Sequence, residues 1–274
     1  MTTTTAVPTF RPMQDTGSGF VWAVRDTLAM TGRNITTMRR LPQVLVFSLV
    51  QPVIFVLMFR YVFGGAIQGS LPPGQTYVNF LMPGIFVQTI VFGSLTTGVG
   101  LADDLSKGLI DRFRSLPMAR SAVLVGRTLA DLLRNFFVVI LMCIVGFIVG
   151  WTIGTNVWGL LGCIAIILAF SYSLSWVFAI VGLMVKDAET AQAVSFPILA
   201  PLVFASSAFV PVSTMPSWLQ GWAENQPVSI VVDAARALTI GGPTSEYVIK
   251  AIAWIVGIIA VCAPIAVSRY RRAV

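Results

Sequence analysis

The stretch YVNFLMPGIFVQTIVFGSLTTGVGL, residues 77–101, contains no charged side chain, and ADDLSKGLIDRFRSLPMAR, residues 102–120, follows it at once with seven. A helix rises about 1.5 Å per residue, so the first segment is roughly 37 Å long, enough to cross the ~30 Å hydrocarbon core of a bilayer. The second segment cannot stay in hydrocarbon, where each charge is costly. An uncharged span with an abrupt charged exit predicts an all-α polytopic membrane protein.

Working outward, five more apolar runs stand at about 44–63, 132–150, 157–185, 196–210 and 247–267. Pro42 suits the first turn of the first span. The fifth is short and holds Pro197 and Pro201, with Pro211 just beyond, which predicts a kinked or broken helix. The composition agrees: 56% of the 274 residues are hydrophobic, 11% are charged and the mean hydropathy is +0.85. A soluble domain carries about 25% charged residues. Six spans leave room for one transmembrane domain over 20–274, with 1–19 expected to be a disordered cytoplasmic tail. MTTTTAVPTF is uncharged before Arg11, and the first long apolar run starts near residue 44, so no cleaved signal peptide is expected.

Between tail and first span, Val21, Val24, Leu28, Ile35 and Met38 recur at three- and four-residue steps with Thr31 filling the gap, while Arg25, Arg33, Arg39 and Arg40 take other positions. That pattern predicts an amphipathic helix lying in the membrane interface. Of the 18 Lys and Arg residues, fifteen fall on the side of the termini and of the loop after residue 101; Arg60, Arg236 and Lys250 fall on the other. By the positive-inside rule both termini are cytoplasmic. Tyr247 and Tyr270 then bracket the last span as interfacial anchors. The net charge of +7 flanks apolar runs rather than lining a basic groove, which argues against a nucleic-acid partner.

The residues that are missing exclude several kinds of chemistry. No histidine is present, which removes histidine-bearing metal sites and Ser-His or Cys-His catalysis. Cys143, Cys163 and Cys262 each sit in a long apolar run and suit small buried hydrophobes; no metal set is formed. No acidic residue falls in mid-span, so an ion-coupled carrier lacks its binding group. The lysines sit in SKG, VKD and IKA, none of them the end of a phosphate-cradling loop, so no ATPase site is encoded. Uphill transport by this chain would draw its energy from a separate nucleotide-hydrolysing partner.

Three further patterns carry expectations. Leu101, Leu105, Leu109 and Phe113 recur at steps of four opposite Asp103, Asp104, Lys107, Asp111 and Arg114, which predicts an amphipathic helix continuous with the second span and stopped by Pro117. Gly146, Gly150 and Gly154 repeat every fourth residue, which predicts a smooth helix stripe for close packing. Beyond Pro211, the prolines Pro216 and Pro227, the apolar Trp218, Leu219 and Trp222, and a short helix with Asp233 and Arg236 predict two half-helices dipping into the outer leaflet.

YVNFLMPGIFVQ at 77–88 paired with DDLSKGLIDRFRSLPMAR at 103–120, followed by MPSWLQGWAENQPVSIVVDAARAL from Met215, resembles the permeases of the type-2 ATP-binding-cassette (ABC) family, above all its daunorubicin/doxorubicin-resistance branch. The resemblance covers almost all of the chain beyond residue 20. It implies a multi-pass permease of the bacterial plasma membrane that pairs with a second permease, identical or homologous, and with two copies of an ABC ATPase that bind the ATP and Mg. It also implies that the segment with Asp103, Asp104, Lys107, Gly108, Asp111, Arg112, Arg114, Leu116 and Pro117 couples to the ATPase, and that the helix at 20–40 is an interfacial connecting helix. No catalytic residue and no cofactor in this chain are implied. Cargo in the branch is a lipophilic drug, polyketide or lipid, and a pathway past Gln51, Phe55, Gln88, Phe204 and Phe209 is expected between the first, second and fifth spans. Export of a lipid-linked polysaccharide is the alternative within transport, although few mid-span polar groups line the helices; a non-transport membrane scaffold is the alternative outside it.

Overall fold

The computed structural model describes residues 19–40, 42–71, 74–108 and 120–273. The predicted tail therefore lies outside the described residues, except at Gly19. The described residues are helical with no strand: α1 (Gly19–Arg40), α2 (Pro42–Met58), a π-helical turn (Phe59–Phe63), α3 (Gly64–Gln68), α4 (Tyr77–Ser106), α5 (Arg120–Val149), α6 (Val157–Met184), α7 (Ala188–Phe204), α8 (Ser217–Asn225), α9 (Pro227–Thr239) and α10 (Thr244–Ala273). Five stretches, Val50–Gln68, Tyr77–Ser106, Val123–Val149, Val157–Met184 and Thr244–Tyr270, are long and apolar enough to cross a bilayer, and α7 is a shorter apolar helix. The protein is a polytopic helical membrane protein.

α4 and α6 form the centre and are mostly buried, whereas few residues of the stretches Val50–Gln68 and Thr244–Tyr270 are buried. In lipid, apolar surface alone does not drive helices together, so small residues that admit close contact decide which helices meet. Gly98 of α4 packs on the Phe178 carbonyl, and Gly182 of α6 packs on Gly98, so side chains at either place would force the two helices apart. Leu81, Ile85, Phe86 and Ile90 of α4 fill one core with Ile167 and Phe170 of α6 and Val231 of α9. A second cluster joins Met30, Leu101, Leu124, Trp176, Ala266 and Tyr270. Tyr270 is thus buried in a helix junction rather than standing in the interface as an anchor.

Several expectations need correction. α1 packs on α5 through the neighbourhood of Thr27, Met30 and Thr31, where Gly126 leaves room, and the Thr31 hydroxyl donates to the Gly126 carbonyl at 3.3 Å. Thr31 thus makes a helix contact from within the apolar stripe, and Val24 and Leu28 of that stripe are exposed. The glycine stripe is not a helix face: α5 ends at Val149, Gly150 turns the chain at φ +97°, and Gly154 packs on Ile240 beyond the helix. The fifth span begins eight residues before the predicted 196, because Asp187 caps α7 by accepting the Thr190 N–H at 2.7 Å and its hydroxyl at 3.0 Å. Those bonds hold the Asp187 carboxyl below the usual carboxylate range. α7 then stops at Phe204, and residues 205–211 run non-helical through the interior, with Ser206, Ser207, Ala208 and Phe209 all buried.

Candidate functional site

Two neighbouring features lie along α2, one aromatic and one polar. On the aromatic side, the rings of Phe55, Phe204 and Phe209 stand 5.8 to 6.4 Å apart, and Phe59 stacks on Phe209 at 4.5 Å. Phe63 extends the group from Phe59 at 5.3 Å. The π-helical turn at 59–63 places Phe59 and Phe63 there; such turns re-aim side chains inside a helix. Phe209 is delivered by the break after α7, where Tyr77 donates to its carbonyl at 3.0 Å. Phe204 and Phe63 remain partly exposed, so the cluster presents an apolar aromatic surface sideways.

One turn along α2, Gln51 lies at a hollow of about 190 Å³ between α2, α4 and α5, lined by Gln88, Thr89, Thr96, Arg134 and Asn135 and by the apolar Pro52, Phe92 and Val138. Of the five expected pathway residues, the structure thus brings Phe55, Phe204 and Phe209 into one ring cluster and Gln51 and Gln88 into one polar hollow. Gln88 is 1% exposed and its Oε1 has no hydrogen-bond partner.

The hollow borders an ionic network that sequence reasoning missed. Arg127 and Arg134 counted as loop charges, yet both lie in α5, and Asp131 is buried between them. Arg134 donates to the Thr96 hydroxyl, to the Gly93 carbonyl at 2.6 Å and to Asn135 Oδ1 at 3.2 Å, and stands 3.4 Å from Asp131. Asp131 also accepts the Thr97 hydroxyl at 2.6 Å, and Arg127 pairs with Asp104 at 2.8 Å. Asn135 donates to Ser171 at 2.6 Å, extending the network to α6. The i, i+4, i+7 spacing of Arg127, Asp131 and Arg134 was the available signal, since it puts all three on one helix face.

Of the expected coupling residues, Asp103 and Lys107 pair at 2.6 Å on the exposed end of α4, and Asp104 is held by Arg127. The helix does not run on to Pro117: α4 stops at Ser106, and Gly108 adopts φ +65°, a left-handed conformation that glycine enters without steric cost and that closes a helix. Gly108 is therefore a cap, with nothing packed against it among the described residues. Asp111, Arg112, Arg114, Leu116 and Pro117 lie outside the described residues.

At the opposite end, Arg236 of α9 is buried and spans three segments. It donates to the Phe80 carbonyl at 2.9 Å, to Asp233 at 3.0 Å and to the carbonyls of Ser207 and Ala208 at 2.6 and 3.1 Å, and its guanidinium lies 3.5 Å over the Phe80 ring. The half-helices α8 and α9 on this side lead back to α10. Among the described residues no group of acidic and sulfur side chains could hold a metal.

Comparison with known proteins matches residues 25–240 to the ABC-2 type transporter family. The daunorubicin resistance ABC transporter permease protein DrrB1 of Streptomyces coeruleorubidus is 34% identical over 250 residues, covering 91% of this chain and 87% of the relative. A Mycobacterium tuberculosis protein named "Probable doxorubicin resistance ABC transporter permease protein DrrC" is 27% identical over 251 residues, covering 91% and 90%. The same organism's doxorubicin resistance ABC transporter permease protein DrrB is 26% identical over 195 residues, covering 68% and 66%.

Proposed function

Because the chain belongs to the ABC-2 type transporter family and is a membrane permease subunit of such a transporter, we propose that it exports a lipophilic drug, polyketide or lipid using ATP hydrolysed on a separate partner. The observation that carries this reading is the similarity to drug-resistance permeases along 91% of the chain. In this reading two copies of an ABC ATPase bind ATP and Mg, a second permease chain, identical or homologous, completes the pathway, and the assembly sits in the bacterial plasma membrane with both termini cytoplasmic.

The geometry supports a division of labour. The segment from Asp103 to Pro117 meets the ATPase. Its motion reaches α4 directly and α5 through the Asp104–Arg127 pair, so the two helices move together. Lipophilic cargo slides past the partly exposed Phe204 and Phe55 rings, whose apolar faces replace the acyl chains it leaves. The break after α7, where Pro197 and Pro201 already weaken the helix, lets that wall shift.

The test is uptake of daunorubicin into inverted membrane vesicles that carry this chain, with and without its ATPase. ATP-dependent uptake is expected only with both, and the Arg112→Glu/Arg114→Glu variant is expected to stay monodisperse while losing ATPase co-purification and uptake. Saturable nucleotide binding by the isolated chain would overturn the reading, and wild-type coupling in that variant would move the coupling role to residues 186–189 or to the amino-terminal helix.

A further inference from the structure

We propose that the hollow between α2, α4 and α5 is a binding site for the neutral, hydroxyl-bearing end of an amphiphile whose apolar body stays in the bilayer. Its polar lining is almost fully used internally. Thr89 donates to the Ile85 carbonyl and Thr96 to the Gly93 carbonyl; Arg134 and Asn135 have the partners described above. Two lining groups stand apart: Gln51, which is exposed, and Gln88, a side chain buried at the hollow whose carbonyl oxygen accepts nothing. A buried acceptor without a donor is costly in a low-dielectric interior, and a ligand O–H or N–H removes that cost.

Charge narrows the class. Arg134 lines the hollow, but Asp131 matches its charge at 3.4 Å, so an anion would have to compete with a carboxylate already in place. A cation would instead meet the guanidinium. What remains is a neutral donor, a hydroxyl. Size narrows it further: about 190 Å³ is below the roughly 300 Å³ at which pockets enclose a drug-sized molecule, so the hollow takes one end only. The rest of the ligand has an apolar bed beside the rim, where Phe92 lines the hollow and Val50, Ile54 and Leu57 of α2 are exposed.

Only the source of the ligand rests on the transport reading: the same hydroxyl can belong to cargo on its way out or to a resident lipid. Tritiated dioctanoylglycerol is titrated onto the purified full chain in phosphatidylcholine nanodiscs. Saturable binding near one per chain is expected, with competition by unlabelled dioctanoylglycerol, but competition by trioctanoylglycerol, which lacks the hydroxyl, or by dioctanoyl phosphatidate at least tenfold weaker. Gln88→Leu should weaken binding at least tenfold, while Ile148→Ala on the exposed face of α5 leaves it unchanged. Equal competition by the triacylglycerol, tighter binding of the phosphatidate, or full binding by a monodisperse Gln88→Leu variant overturns the site. The series on the unmodified chain decides the matter even where that variant misfolds. In vesicles with the complete transporter, inhibition of export by dioctanoylglycerol assigns the bound hydroxyl to cargo, and binding without inhibition assigns it to lipid; either supports the site. Binding without export of any compound would refute the transport reading alone.

Discussion

Arg236 and Arg134 are both buried, and both tie α4 to another helix, Arg236 at Phe80 and Arg134 at Gly93 and Thr96, roughly 20 Å further along. They differ in what they hold. Arg236 donates mainly to main-chain carbonyls, two of which belong to the non-helical run 205–211. In a bilayer, backbone outside a helix is tolerated only where its polar groups are satisfied, so Arg236, together with Gln226 at Leu202 and Ala205 and Tyr77 at Phe209, allows the break. Arg134 bonds mainly side chains on helices that are intact without it, and beside it Gln88 has no partner. An arginine that satisfies broken backbone is a clamp; one among side chains that can exchange partners, at the edge of a hollow, suits a place where something binds.

The clamp should therefore be the more costly to remove. Arg236→Ala leaves the Ser207, Ala208 and Phe80 carbonyls without their donor and Asp233 without its counter-charge. Removing one partner of a buried pair costs about 3–5 kcal/mol, much of a typical domain's stability. The expected outcome is loss of monodisperse protein after detergent extraction, measured by size-exclusion chromatography. Normal recovery would show that the break is held by its packing and not by the arginine.

Gly84→Leu attacks the same break from the other side. A Cβ at Gly84 would collide with the Ala208 backbone, so the variant must push 205–211 off α4. Its cost is set by overpacking, typically 1–3 kcal/mol, so monodisperse protein with a thermal unfolding midpoint below that of wild type is expected.

How much of this was legible in the sequence depends on what each feature is made of. Spans announce themselves by the absence of charge, so the helical polytopic fold could be read from stretches such as 77–101. Asp131 and Arg134 were hidden by the same rule: treating charge as the mark of a loop puts the start of α5 outside the membrane, when the two residues neutralise each other inside the bundle. Gly150 and Gly154 have helix spacing but end up beyond the helix, because Gly150 itself ends it at positive φ. The closure of α4 at Gly108 was equally silent, since the leucine periodicity continues past it. Phe55, Phe204 and Phe209 could be nominated from sequence, but that they meet depends on where α7 breaks.

The inner network predicts a smaller and different response. Asp131→Asn keeps the acceptor for the Thr97 hydroxyl and removes the charge that matches Arg134. The chain should still fold, with a loss of stability below that of Arg236→Ala, because Arg134 keeps Thr96, Gly93 and Asn135 as partners. With Arg134 uncompensated, dioctanoyl phosphatidate should bind better than to wild type. No change in that preference would mean that the charge balance of the hollow is not what selects a neutral ligand.

The smallest effect on stability is expected at the exposed pair Asp103–Lys107, which is useful because it separates folding from coupling. The two side chains meet at 2.6 Å with 41% and 61% of their surfaces exposed, so the bond competes with water on both sides. Exposed i, i+4 pairs contribute about 0.3–0.5 kcal/mol, and the turn at Gly108 already ends α4 without them. Lys107→Ala should thus shift the thermal midpoint by no more than a degree or two, since about 1 kcal/mol moves a domain of 150–250 residues by 2–4 °C. If the segment from Asp103 onward meets the ATPase, the same change removes a charge from a docked surface, where truncating a buried charge costs roughly 2–5 kcal/mol. Loss of ATPase co-purification at an unchanged midpoint would place coupling at the end of α4, and unchanged co-purification would move it beyond Gly108, toward Arg112 and Arg114.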